Sequence, residues 1–278
     1  MSKNCRYATI STHRKVGCGI VAVLLFACTG TSGATSTIAA AAATSSTTST
    51  LQPTSTSVAG GFDVLVFHRT EGFRHASIEA GIAAIERLSE EHGFSVVAGQ
   101  DPTVFSEAGL APFEVIVFLS TTGDVLDPEE ERAMEAFVDS GGGFVGVHAA
   151  ADTEYDWAWY GDLVGAYFDS HPEPQQAVLQ VAAAGHPIVA DIPATFERFD
   201  EWYNFRTLPG EDITLLVTID ETSYQGGTMG QPHPISWAQE TLGGRSFYTA
   251  MGHTEESFTD PLVLTHLGNG ILWAAGPA

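Results

Sequence analysis

The sequence predicts an α/β domain built on a mainly parallel sheet, and three observations carry that expectation. Short, nearly continuous apolar runs recur at 62–67, 94–97, 113–119 and 144–147. Segments with helical spacing of apolar residues separate the first two runs and the last two. This alternation, at this spacing, implies right-handed crossovers between parallel neighbours.

Each element has a local reason. Residues 62–67 are rich in β-branched and aromatic side chains and read as a buried strand. From Ser77 to His92 the apolar positions Ile78, Ile82, Ile85 and Leu88 share one helical face, and Gly93 can end that helix. Residues 94–97 form the second strand. Residues 113–119 form the third, apolar enough to be covered on both faces. Asp127-Pro128-Glu129-Glu130 opens a helix with a capping carboxylate, a first-turn proline and acids near the positive end of the dipole. It runs to about Ser140, where three glycines stop it, and 144–147 follows as the fourth strand. Periodicity then weakens. Strands are expected at 178–182, 214–218, 235–238 and 246–250, and a closing helix at 261–273. With no internal repeat and no second linker, residues 61–278 read as one domain.

The first 60 residues follow other rules. Lys3, Arg6, Arg14 and Lys15 precede an apolar run at 16–27. That run is short for a bilayer span and has the length of a signal-peptide core, so residues 1–28 are expected to be a signal peptide. Leu25-Phe26-Ala27-Cys28 loosely resembles a bacterial lipoprotein cleavage box, with Phe26 bulky for its place. A secreted domain and one lipid-anchored at the extracytoplasmic surface both remain open. Residues 29–60, mostly Thr, Ser, Ala and Gly, bury too little to offset ordering entropy and are expected to be a flexible linker. All three cysteines lie in the leader, so the domain must stand on its own core, without disulfides.

Beyond residue 60 the chain has seven arginines, no lysine and all 34 acidic residues, a net charge of −27. Nucleic acid and anionic membrane surfaces require a basic footprint and are excluded as partners. The domain carries no transmembrane run, and the sequence sets no oligomeric state.

Ligands of open parallel sheets bind beyond the carboxyl ends of the strands. Three stretches therefore meet at one crevice: 68–75, 120–124 and the elbow at His148. The elbow is the most informative segment. Gly143-Phe144-Val145-Gly146-Val147 feeds His148, with Ala149 and Ala150 leaving room for something to approach. An imidazole stands where hydrolases of such architecture place Ser or Cys, which points to acid/base or metal chemistry rather than acyl transfer. His75 follows the first strand, where Arg74 and the next helix end can hold a polar oxygen; the alternative is a helix cap. His171 follows an aromatic stretch with Tyr155, Trp157, Trp159 and Tyr160, suited either to stacking on a sugar or to packing. His253 follows a strand end with Glu255 two residues on, a pairing in which a carboxylate sets an imidazole tautomer. In Asp200-Glu201-Trp202-Tyr203, alternation sends Glu201 and Tyr203 to one face for hydroxyl recognition; the alternative is a solvated turn. His68, His92, His186, His233 and His266 are expected to be structural or solvent-facing. No CxxC, HExxH, P-loop or GxGxxG follows the first strand.

Taken together, these segments resemble the trehalose-utilisation, or ThuA-like, family of the class I glutamine-amidotransferase-like superfold. The carrying residues include Gly72-Phe73-Arg74-His75-Ala76-Ser77, residues 142–150 with Asp152-Thr153-Glu154, His171-Pro172, Asp200-Glu201-Trp202-Tyr203, His233-Pro234 and Gly252-His253-Thr254, spread over about residues 62–276. The resemblance implies a flavodoxin-like sandwich. True class I amidotransferases read Gly-x-Cys-x-Gly at the elbow, where this chain reads Gly146-Val147-His148-Ala149-Ala150, so glutamine hydrolysis is not expected. Their His-Pro-Glu segment is similar to His253-Thr254-Glu255. The expected function is a secreted or surface-tethered enzyme acting on a trehalose-related glycoside or keto-sugar by hydrolysis, elimination or isomerisation. His148, His253 and Glu255 are its expected catalytic residues. His75, His148, His171 and His253 are expected to hold one divalent metal, zinc or another. Arg74, Asp152, Trp157, Glu201 and Tyr203 are expected to bind a small carbohydrate. Two alternatives stand beside it: a non-catalytic sugar-binding module, and a metal-dependent amidohydrolase.

Overall fold

The computed structural model describes residues 61–240 and 242–276. The expected signal peptide and linker lie outside the described residues. The elements in chain order are β1 (Asp63–Phe67), α1 (Ile78–His92), β2 (Ser95–Gly99), α2 (Glu107–Leu110), β3 (Val115–Leu119), α3 (Pro128–Asp139), β4 (Gly143–Val147), α4 (Ala158–Val164), β5 (Phe168–Ser170), β6 (Gln175–Val181), β7 (Thr195–Asp200), β8 (Asn204–Phe205), β9 (Thr214–Ile219), β10 (His233–Gln239), β11 (Ser246–Thr249) and α5 (Pro261–Ala274), with short 3₁₀ turns between them.

The expected α/β architecture is what forms. One nine-stranded sheet runs β2-β1-β3-β4-β11-β10-β9-β6-β7, and β5 pairs with β8 in a separate ribbon. The pairs β1–β2, β1–β3, β3–β4 and β4–β11 are parallel. The remaining four strands extend the sheet in antiparallel pairs. β3 and β4 are buried along their whole length, as a strand covered on both faces requires. On one face Gly81 of α1 lies against Leu119. On the other, Tyr160 of α4 packs on Phe118 and Phe144. Helices thus cover both sides.

Local signals and observed elements agree closely in the parallel half. Gly93 closes α1 at φ +79 with its N–H on the Ser89 carbonyl, and Asp127 and Glu130 form a reciprocal capping box at the start of α3. Differences concentrate in the second half. β7 has no counterpart among the expected strands, because its buried positions are Arg198 and Asp200 while Phe199 is exposed. That inverts the apolar alternation that marks a strand. Among the described residues no helix is long and apolar enough to cross a membrane.

The order reverses between β2-β1 and β3-β4, and the loops beyond these strands are sewn together. Thr70 bridges to Thr122 and Gly123 to Thr153. Buried Glu154 clamps the same region, its Oε1 accepting from the N–H groups of Val125 and Leu126 at 2.8 and 2.9 Å. Burial pushes this carboxyl up to about 7, although the two N–H groups pull the other way. A raised carboxylate pKa stabilises the fold below the unfolded value near 4.5, and that contribution is lost as pH rises through about 7. Glu154→Gln keeps the accepting oxygen and loses the titration. It should therefore melt above the wild type near pH 8, by up to about 3 kcal/mol. The gain should shrink toward zero in acid, and equal differences at both pH values in thermal melts would refute this.

Candidate active site beyond the strand ends

Four chemistry-bearing groups meet where β1, β4 and β11 end. His75, His148, Glu201 and His253 each offer a donor atom, and these atoms all lie within 4.8 Å of one another. The chain reaches this point from four directions: the loop before α1, the elbow after β4, the end of β7 and the turn after β11.

The elbow works by conformation. His148 is fully buried and takes φ +50, a left-handed geometry that turns its side chain back over the sheet edge. Tyr248 anchors it, its hydroxyl donating to the His148 carbonyl at 2.8 Å. The ring Nδ1 donates to the Ala250 carbonyl at 2.8 Å. This fixes the tautomer and leaves the Nε2 lone pair for the centre, the arrangement typical of a metal-ligating imidazole.

His253 is delivered by the turn at Gly252, whose φ of +125 an L side chain rarely adopts. Its Nδ1 lies 3.2 Å from Glu201 Oε2 and 3.3 Å from His148 Nε2, so one proton or one cation can bridge the three. The Glu201 hydrogen bond holds the His253 pKa above its usual value. Burial favours the neutral Glu201 carboxyl, but the His148 and His253 rings beside it outweigh that and hold the group well below the usual carboxylate range. His75 closes the set, its ring 4.7 Å from that of His148 and 5.3 Å from that of His253. Burial, followed by the charge of His148 and His253, pushes it down to about 3. Its Nδ1 is buried without a hydrogen-bond partner.

That orphaned nitrogen, the free Nε2 lone pair of buried His148 and an adjacent ionised carboxylate fit a divalent cation. Three imidazoles and one carboxylate are the donor types zinc takes, and manganese or iron also accept them.

Asp200 organises the rest, and sequence reading gave it no role. It is fully buried. Its carboxylate accepts from the backbone N–H of Glu201, Gly252 and His253, each at 3.0 Å. It also accepts from Ser257 Oγ at 3.0 Å and Arg198 Nη2 at 2.9 Å. The turn that carries His253 is thereby locked to the strand end that carries Glu201. Ser77 adds a bond from its hydroxyl to the Gly252 carbonyl at 2.9 Å and makes no side-chain cap bond to α1.

The other expected residues divide. Glu201 and Tyr203 both face His148: Glu201 Oε2 is 3.6 Å from its Nε2, Tyr203 lies on its ring at 4.5 Å, and buried His233 holds the Tyr203 carbonyl at 2.8 Å. His171 is not one of the four convergent donors. It stands beside Glu201 on the solvent side, 41% exposed, with Nδ1 3.0 Å from Glu201 Oε1. Glu255 requires correction. It is exposed at the start of a 3₁₀ turn, Glu255–Thr259, which Thr254 caps directly after His253. The carboxylate facing His253 is Glu201. Trp157 is also corrected: its ring stacks on Trp159 and Tyr160 and its indole N–H donates to Glu135 Oε1, so it packs α4 against α3. Arg74 is paired with Glu79 and the His68 carbonyl. Asp152 accepts from the Tyr155 hydroxyl at 2.6 Å, and the Arg206 guanidinium lies over the Tyr155 ring. Neither of these two joins the four convergent groups.

Comparison with known proteins agrees with this architecture. A family model described as trehalose utilisation matches residues 63–274. A ThuA-like protein from Bacteroides uniformis ATCC 8492 superposes with a TM-score of 0.67 at 24% identity, over 78% of this chain and 93% of that one. A ThuA-like protein from Parabacteroides merdae ATCC 43184 gives 0.63 at 21% identity, over 77% and 90%. At these identities the likeness shows a shared fold. No protein with a curated description matches the sequence.

Proposed function

Because the chain belongs to the trehalose-utilisation (ThuA) family, we propose that it is an enzyme acting on a trehalose-related glycoside or keto-sugar outside the cytoplasm, secreted or lipid-anchored. The reading rests above all on the convergence of His75, His148, Glu201 and His253 within 4.8 Å. These four residues would hold one divalent cation, zinc being the best match to their donor types. When bound, such a cation polarises a carbonyl or hydroxyl oxygen of the sugar.

The acid–base work falls to His171. Its Nδ1 faces two acceptors, Glu201 Oε1 and the Pro172 carbonyl, each at 3.0 Å, so that nitrogen carries the hydrogen. Its Nε2 is then free to accept a proton at the half-exposed mouth. A keto group acidifies the neighbouring C–H, and removal of that proton starts elimination of a glycosidic group or isomerisation. A positioned base of this kind contributes roughly 10²–10⁴-fold. The elbow holds an imidazole and the domain has no cysteine, which argues against glutamine hydrolysis through a thioester.

The test is metal analysis of the purified protein with turnover of 3-keto-trehalose. About one equivalent of divalent metal is expected, and chelation should remove turnover. Glu201→Gln should weaken metal binding by roughly 10–100-fold or more, and Glu255→Gln should leave metal and turnover unchanged. Turnover that persists in metal-free protein would move the chemistry to the His148–His253 pair. Sugar binding without turnover in zinc, manganese and calcium would mark a binding module.

A further inference from the structure

We propose that Phe73 is a stacking platform for a neutral sugar ring, adjacent to the four-residue centre, so that a disaccharide spans both; this rests on reading that centre as a carbohydrate site. Phe73 is 67% exposed, the most exposed large hydrophobic side chain among the described residues. Its ring lies 4.9 Å from that of His75, at 85° to it. His75 in turn touches His148 and His253. The exposed aromatic surface therefore begins where the buried donor set ends.

The ring is held out by its backbone. The N–H groups of Glu71 and Gly72 both donate to the Thr122 carbonyl, at 2.8 and 3.3 Å. Thr122 Oγ1 donates to the Phe73 carbonyl at 2.9 Å. A Cβ on Gly72 would stand 3.2 Å from that same oxygen, so the close approach of the two loops uses the missing side chain. The backbone that carries this ring is thus tied to the end of β3, and the ring itself stands in water. Keeping such a ring in water costs free energy, and a ligand that covers it recovers that cost.

The chemistry on either side selects the ligand. A flat aromatic face accepts any ring with an apolar surface, a pyranose or a nucleobase. A nucleotide brings phosphate, and the domain carries a net charge of −27. The two guanidinium groups of this loop, Arg69 and Arg74, are already paired with Glu71 and Glu79. A neutral pyranose meets no such penalty. It offers C–H bonds to Phe73 and hydroxyl edges to the half-exposed His171 and the 25%-exposed His253. With one ring on Phe73, the linkage of a disaccharide points toward His75 and the centre beyond it.

The probe is trehalose, titrated calorimetrically into metal-loaded wild type, Phe73→Ala and Phe73→Trp. Phe73→Ala should weaken binding about tenfold or more, while Phe73→Trp should stay near the wild-type value. Metal content, melting temperature and oligomeric state should not change in either variant. Phe73→Ala binding trehalose as the wild type does, or altering the oligomeric state, would overturn the platform. If the wild type holds its metal and turns over sugar while the Phe73 variants bind normally, the platform fails alone. A wild type that neither binds trehalose nor holds metal removes the centre and the platform together.

Discussion

His148→Ala should abolish turnover, lowering it by roughly 10²–10⁴-fold, with a melting temperature within a few degrees of the wild type. The chemical loss is large because this ring does three things at once. It presents Nε2 to the centre, it contacts Glu201 and His253, and its Nδ1 bond to the Ala250 carbonyl fixes the tautomer. The structural loss is small because two effects oppose each other. A buried ring and one hydrogen bond disappear, which costs stability. The crowding of three imidazoles, which adds to burial in holding the His75 pKa down, is relieved in the same step. His148→Gln is the informative companion: it retains a polar side chain of similar reach yet cannot offer an imidazole lone pair, so it should be as inactive as alanine. Full activity of His148→Ala on the proper substrate would refute the assignment, and a wholesale loss of cooperative melting would show that the residue is chiefly structural.

The second large effect belongs to Asp200. Asp200→Ala should lower stability by roughly 3–5 kcal/mol, since it leaves Arg198 buried with Asp260 at 3.4 Å as its remaining carboxylate partner. For a domain of this size that corresponds to a fall in melting temperature of about 10 °C. Metal affinity should drop in parallel by roughly 10–100-fold, because the turn carrying His253 loses its tie to the strand end carrying Glu201. Asp200→Asn should rescue little. In either orientation an amide nitrogen would face backbone N–H groups, those of Glu201 and His253 or that of Gly252 with the Arg198 guanidinium, and Ser257 Oγ is the sole partner able to accept from it. Thermal melts and competitive metal titration well below the transition separate the two effects. A wild-type melting curve for Asp200→Ala would contradict the hub role.

How much of this could be read in advance varies by element. α1 and α3 were legible because their signals are local: apolar residues on one face, a glycine at one end, a capping box at the other. β7 was not, because its interior positions hold Arg198 and Asp200, which satisfy each other across two residues and look solvated in the sequence. The antiparallel half was seen only as separate strands, since nothing local states which strand neighbours which. In the site, His75, His148 and His253 drew attention by following strand ends, His171 by following an aromatic stretch, and Glu201 by alternation with Tyr203. Glu255 was chosen for adjacency in the chain, and the 3₁₀ turn after His253 defeats that logic. Phe73 lay inside a quoted segment without being singled out, because exposure is not visible in a sequence.

The amino-acid order by itself determined the α/β class, the crevice beyond the parallel strands and the elbow that offers an imidazole in place of a thiol. Those features follow from periodicity, caps and turn residues, which act within a few positions along the chain. Tertiary structure alone decided which carboxylate serves the imidazoles, which nitrogen of His148 faces the centre and which aromatic stands in water. Such choices depend on contacts between residues far apart, 105 positions for His148 and His253 and 53 for Asp200 and His253. Only the packed sheet and its loops bring groups so distant in sequence within hydrogen-bonding reach.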